Sequence, residues 1–141
     1  MKLPGLLDME DLVDYWDDPT FQGVLEGDDV YDEVMKKGDT EYIHFYIAVF
    51  DGKITDAKFT GEGSVLSQGL AAVISDSIVG LSASEAYKYD VFARLNFQIA
   101  MSRMECAHLP VRAARTAIAK AKAATERGTG SEDSGSDQDV P

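Results

Sequence analysis

From Glu41 to Gly80 the chain passes through two apolar segments, an Asp-Gly turn, a Gly-x-Gly and a helix of small residues. That succession leaves few folds open. In Glu41 to Phe50, Ile43, Phe45, Ile47 and Val49 fall on one face and Tyr42, His44, Tyr46 and Ala48 on the other, the period of two of a half-buried strand. Asp51-Gly52 follows directly. A type I′ turn needs positive φ at both central positions, and these residues tolerate it, so the partner strand is Lys53 to Thr60. Gly61 and Gly63 let the chain leave the sheet. From Val65 a helix rich in Ala, Ser and Leu runs to Val79, with Gly80 as its C-terminal cap. Its small side chains imply close packing onto the sheet.

Upstream, Asp8 to Trp16 places Leu12, Val13, Tyr15 and Trp16 on a helical stripe, with acids in the first turn where the helix dipole favours them. Pro19 and Gly23 break it. Val30 to Met35 is a short strand before the turn Lys37-Gly38-Asp39. Downstream, Ser82 to Glu85 is a capping box that starts a helix near Ala83, continuing loosely to about Phe97. A last helix runs from about Cys106 or Leu109 to Thr125, with Pro110 in its first turn, where a missing N–H costs nothing. One helix, three strands, then helices predict an α+β fold: a three-stranded antiparallel sheet with helices packed on one face, plus the N-terminal helix. The predicted domain covers residues 1–127. Residues 128–141, GTGSEDSGSDQDVP, hold too little apolar surface to offset ordering entropy and are expected to form a disordered acidic tail.

Composition narrows the function. A net charge of −12 argues against nucleic acid, since phosphate binding needs clustered cations and the only basic cluster is Arg112 to Lys122. That cluster is either a solvated helix face or a docking patch for an acidic partner. No run approaches the roughly 18 apolar residues of a membrane-spanning helix, and the acidic N-terminus is unlike a secretion signal. A cytoplasmic protein without a membrane partner is the expectation. The single cysteine, Cys106, leaves no internal disulfide and no cysteine-only metal site within one chain. Paired carboxylates, a Ser-His-Asp set and a phosphate loop all lack the context their chemistry needs, so the chain is not read as an enzyme.

Five landmarks, in order along roughly Leu12 to Ala124, resemble the NifU/IscU-type scaffolds on which iron–sulfur clusters are built. LVDYWDDPTFQG is similar to the family's opening helix and Asn-Pro-x-Asn-x-Gly, with Pro19 and Gly23 matching and Asp18 and Phe21 replacing the asparagines. Gly38-Asp39 looks like its Cys-Gly-Asp turn. Ile47 to Gly63 resembles its central hairpin, ending in the Gly-x-Gly before the second cysteine. Ser67 to Gly80 resembles its Ser-rich helix, and Arg103-Met-Glu-Cys106-Ala-His-Leu109 its Arg-x-x-Cys-x-x-Leu.

The resemblance implies a site for zinc or a nascent [2Fe–2S] cluster built from three cysteines and an aspartate, thiolates being the soft ligands such chemistry requires. Those positions are Lys37, Asp39, Ser64 and Cys106 here, with lysine and serine replacing two cysteines. Asp39 and Cys106 remain as metal ligands, and Glu105 could add an oxygen. An iron–sulfur cluster, iron or zinc is expected only if a partner, or a second copy in a homo-oligomer, completes this partial site. The family's chaperone-recognition stretch aligns with Ile99 to Arg103, without its two prolines. The implied function is an accessory role in cluster assembly, with Cys106 as sulfur acceptor and a cysteine desulfurase or another assembly protein as partner. The alternative is a degenerate scaffold kept as a structural or regulatory subunit of a larger complex. Lys37, if close, would favour the Cys106 thiolate. Cys106 could instead be a buried small hydrophobe. His44 and His108 lack metal-ligand spacing, although His108 could tune Cys106. Phe92, Leu95, Phe97 and Ile99 are core or a partner surface.

Overall fold

The computed structural model describes residues 5–131. Helix α1 spans Met9–Asp17 and opens on a capping box in which the Asp8 and Asp11 side chains each accept the other's backbone N–H. Leu12 is fully buried and Tyr15 packs against the core, but Val13 is 41% exposed. Leu12, Tyr15 and Trp16 have i, i+3, i+4 spacing and share a face; Val13 lies about 100° around the helix from Leu12 and drops out of the expected stripe.

Strands β1 (Val30–Lys37), β2 (Glu41–Phe50) and β3 (Lys53–Glu62) form an antiparallel sheet in the order β1-β2-β3. β1 is two residues longer than expected, because Lys36 and Lys37 still pair with Tyr42 and Glu41. The loop between them is therefore Gly38-Asp39-Thr40. The hairpin turn is as expected, with φ of 55° at Asp51 and 78° at Gly52.

Helix α2 (Val65–Ile78) and helix α4 (Met104–Ser131) lie on one face of the sheet. Ile43, Phe45 and Ile47 of β2 and Ile54 and Phe59 of β3 meet Leu70, Val73, Leu109 and Ile118 in a single core. α2 is buried almost all round, from Leu66 through Ser75, because α1 covers the side the sheet and α4 leave open. Its composition follows from that crowding. A Cβ at Gly69 would stand 2.8 Å from the Leu12 carbonyl oxygen.

Three expectations for the second half are corrected. Helix α3 covers only Ala83–Tyr87, since Asp90 caps a new 3₁₀ turn, Val91–Arg94, by accepting the Phe92 N–H at 3.0 Å. α4 begins at Met104, directly after a 3₁₀ turn at Met101–Arg103, so Cys106 lies inside its first turn and Pro110 in its second. Pro110 lacks the N–H that would bond the Cys106 carbonyl four residues back. α4 also runs to Ser131, four residues into the segment assigned to the tail; the rest of that expectation lies outside the described residues.

The basic cluster is largely engaged in docking α4. Lys120 Nζ reaches Glu33 at 2.7 Å and the Asp32 carbonyl at 2.8 Å, Arg115 donates to the Tyr89 carbonyl, and Lys122 lies over the Tyr87 ring. Phe92, Leu95, Phe97 and Ile99 pack against the core while lining a shallow groove beside the exposed Met101. No helix among the described residues is long and apolar enough to cross a membrane.

Candidate functional site

The positions singled out in the sequence gather at one end of the sheet, where the β1–β2 loop, the β3–α2 junction and the first turn of α4 meet. Lys37 ends β1 and pairs across the strands with Glu41, the first residue of β2. Glu41 shares the alternation of Ile43, Phe45 and Ile47, so its side chain points to the helix-bearing face just beyond the apolar core.

There the carboxylate is divided between two donors. Glu41 Oε1 accepts the Cys106 thiol at 3.2 Å, and Oε2 accepts the Ser64 backbone N–H at 3.1 Å. Glu41 is thus a residue of the site that motif comparison passed over. The signal was present in its periodicity: a carboxylate in register with three core residues, two positions before the first of them, needs partners where it points.

The electrostatics follow from this pairing. Burial by itself would raise the Glu41 carboxyl, but the hydrogen bonds from Cys106 and Ser64 and the charge of Lys37 together hold it below the ordinary glutamate value. Burial pushes the Cys106 thiol up, and the hydrogen bond to Glu41 and its negative charge push it further. Lys37 favours the thiolate, as expected, but is outweighed. The expected net activation of Cys106 by Lys37 is therefore corrected: the thiol is held in its protonated form.

Ser64 has a structural function that its alignment with a cysteine concealed. It is the N-cap of α2, its hydroxyl accepting the Ser67 N–H at 3.1 Å. Asp39 lies exposed in the β1–β2 loop and Glu105 is exposed on α4. Cys106 meets Glu41 instead, and among the described residues no three His, Cys, Asp or Glu side chains stand where they could hold a metal ion. A single thiol, an ammonium group and a hydroxyl engaged as a cap do not fit an iron–sulfur cluster, whose irons need several thiolate donors.

The histidines serve elsewhere. His108 meets the edge of the Phe92 ring at 5.1 Å and is not among the groups that set the Cys106 thiol. On the opposite face of the sheet, His44 Nε2 contacts Asp32 Oδ2 at 2.6 Å, while its Nδ1 lies 3.1 Å from the Tyr46 hydroxyl and its ring stacks on Tyr46.

Residues 8–127 match the NifU-like N-terminal domain family. Over 78 residues the chain is 33% identical to the iron–sulfur cluster assembly scaffold protein IscU of Thermotoga maritima, a stretch covering 55% of this chain and 55% of that protein. The chain thus spans about half the length of the curated relative it matches. Its fold is similar to that of an iron–sulfur cluster assembly scaffold protein for the SUF system from Fervidobacterium islandicum AW-1, with a TM-score of 0.66 and 22% identity over 77% of this chain and 94% of that one. It is also similar to the N-terminal part of a NifU-like protein from Brucella abortus, with a TM-score of 0.58 and 14% identity over 81% and 93% of the two chains. At these identities the two structures speak to the fold.

Proposed function

The chain belongs to the NifU-like N-terminal domain family, and from that premise we propose that it is an accessory protein of iron–sulfur cluster assembly that accepts sulfur on Cys106. Its frame is that of the assembly scaffolds. One observation carries the finer reading: Cys106, the one thiol of the chain, stands partly exposed at the position of the family's third cysteine, open to a donor's persulfide.

In this reading a donor protein presents a cysteine persulfide. Cys106 sulfur attacks the outer sulfur, the donor's S–S bond breaks, a new S–S bond forms on Cys106, and the donor cysteine leaves as thiolate. Cys106 attacks as its thiolate, the thiol proton going to solvent and the leaving thiolate taking one up, so that a thiol and a persulfide exchange roles without net oxidation. The donor is proposed to be a cysteine desulfurase. Incubation with such an enzyme and cysteine should add the mass of one sulfur atom to the native chain and none to Cys106→Ser; an unmodified Cys106 would remove the sulfur-acceptor role.

A second reading, a scaffold retained as a structural or regulatory subunit, is favoured by the lysine and serine at two ligand positions and by the raised thiol. It predicts that Cys106→Ser supports cluster assembly as well as the native chain, whereas sulfur acceptance predicts loss.

A further inference from the structure

Lys37, Ser64 and Cys106, which align with the three cysteine positions of the family, all neighbour one side chain, that of Glu41. Its carboxylate lies between them. One oxygen is held by the Cys106 thiol at 3.2 Å, the other by the Ser64 N–H at 3.1 Å, and Lys37 is the cross-strand neighbour. The adjoining backbone is fitted to this side chain. Gly63 has φ of 120°, and a Cβ there would lie 2.0 Å from Glu41 Cγ. A glycine at this junction therefore does more than turn the chain off the sheet: it leaves the room that Glu41 fills.

From this arrangement we infer that Glu41 is an internal occupant of the ligand site, which keeps metal away from Cys106. The chain is closed to metal by a side chain that takes the vacancy, and this is a separate matter from its lack of two thiolates. Three groups at the site neutralise one another: the carboxylate satisfies a backbone donor and a thiol that would otherwise seek partners, and Lys37 balances its charge. A metal ion would have to break both hydrogen bonds, displace the carboxylate and approach an ammonium group. The inference goes beyond sulfur acceptance and does not depend on it.

An occupant and a ligand make opposite predictions, because carboxylate oxygen is also an acceptable donor to zinc. The distinction becomes measurable once the missing thiols are supplied. Zinc ion alone is the probe, titrated without oxygen against a chromophoric chelator, into Lys37→Cys/Ser64→Cys and into the same chain carrying Glu41→Ala or Glu41→Gln. Both backgrounds share the altered α2 cap, so its cost cancels, and melting curves select the variants that keep the fold. If Glu41 is an occupant, Glu41→Ala should tighten zinc binding about tenfold or more, a change of the size produced by altering groups around metal ligands. Glu41→Gln, which keeps the volume but loses the charge, should give a smaller gain and remains informative should the alanine variant unfold. Equal affinity with and without Glu41, or weaker binding on its removal, would overturn the inference, the latter by making the carboxylate a ligand. Sulfur loading of Cys106 is read on the native chain by mass, so either result stands when the other fails.

Discussion

At the residue scale, the site rests on one carboxylate, Glu41, that accepts from two donors, the Cys106 thiol and the Ser64 backbone N–H. Both hydrogen bonds to Glu41 strengthen as its charge is retained, since bonds to ionised acceptors exceed neutral ones. Replacing it by glutamine should lower the Cys106 pKa, because the anion and the charged acceptor that favour the thiol are both removed. The pH profile of iodoacetamide alkylation reads this directly: Glu41→Gln should react faster than the native chain near neutral pH, with its rise displaced to lower pH. An unchanged profile would mean burial alone sets the thiol. Ser64 teaches a similar lesson. As a missing cysteine it is a deficit, yet as the cap of α2 it satisfies a backbone donor, and Ser64→Ala should cost about 0.5–2 kcal/mol in unfolding free energy. Its position directly before a helix, at the end of Gly-x-Gly-Ser, is a cap signal that the alignment with a cysteine concealed.

At the element scale, α1 and α2 approach closely at Gly69. Gly69→Ala gains about 1 kcal/mol of helix propensity. The new methyl would meet the backbone oxygen of Leu12 at 2.8 Å, however, and overpacking of about 1–3 kcal/mol should win because backbone cannot rotate aside. A lower melting temperature is the expected result. The same pair of helices is joined by Tyr15, whose hydroxyl donates to Asp76 at 2.7 Å. Burial, then this hydrogen bond and the Asp76 charge, raise the Tyr15 hydroxyl from about 10 to about 12. A folded value above the unfolded one means stability that is full below pH 10 and lost as pH rises through about 12. Tyr15→Phe should therefore be less stable than the native chain at neutral pH, and the gap should narrow across that alkaline window in urea titrations. Boundaries at this scale were legible where local chemistry decided them, as at Asp51-Gly52 and in the Ser82–Glu85 capping box. They were missed where a competing cap intervened, as Asp90 does after α3, or where a proline was tolerated inside a helix, as Pro110 is in α4.

At the scale of the whole molecule, the frame and the site carry different information. The sheet, its helices and their order follow from strong periodicities and turn residues spread over many positions, so the architecture could be read from the chain. The site depends on a few side chains converging from β2, the β3–α2 junction and α4. Motif comparison named Lys37, Asp39, Ser64 and Cys106, but the partner that organises two of them is Glu41, outside every motif. Distances between residues 41, 64 and 106 exist only once the fold has closed. The central claim joins these two scales: the chain has the scaffold frame, while the residues at its ligand positions do not fit a cluster. Anaerobic reconstitution with iron and sulfide, followed by visible absorption and metal and sulfide analysis, tests it most directly. The purified native chain is predicted to stay colourless, with no iron or sulfide bound beyond the level of Cys106→Ser. Colour with bound iron and sulfide that disappears in Cys106→Ser would contradict the account and restore a cluster-holding site.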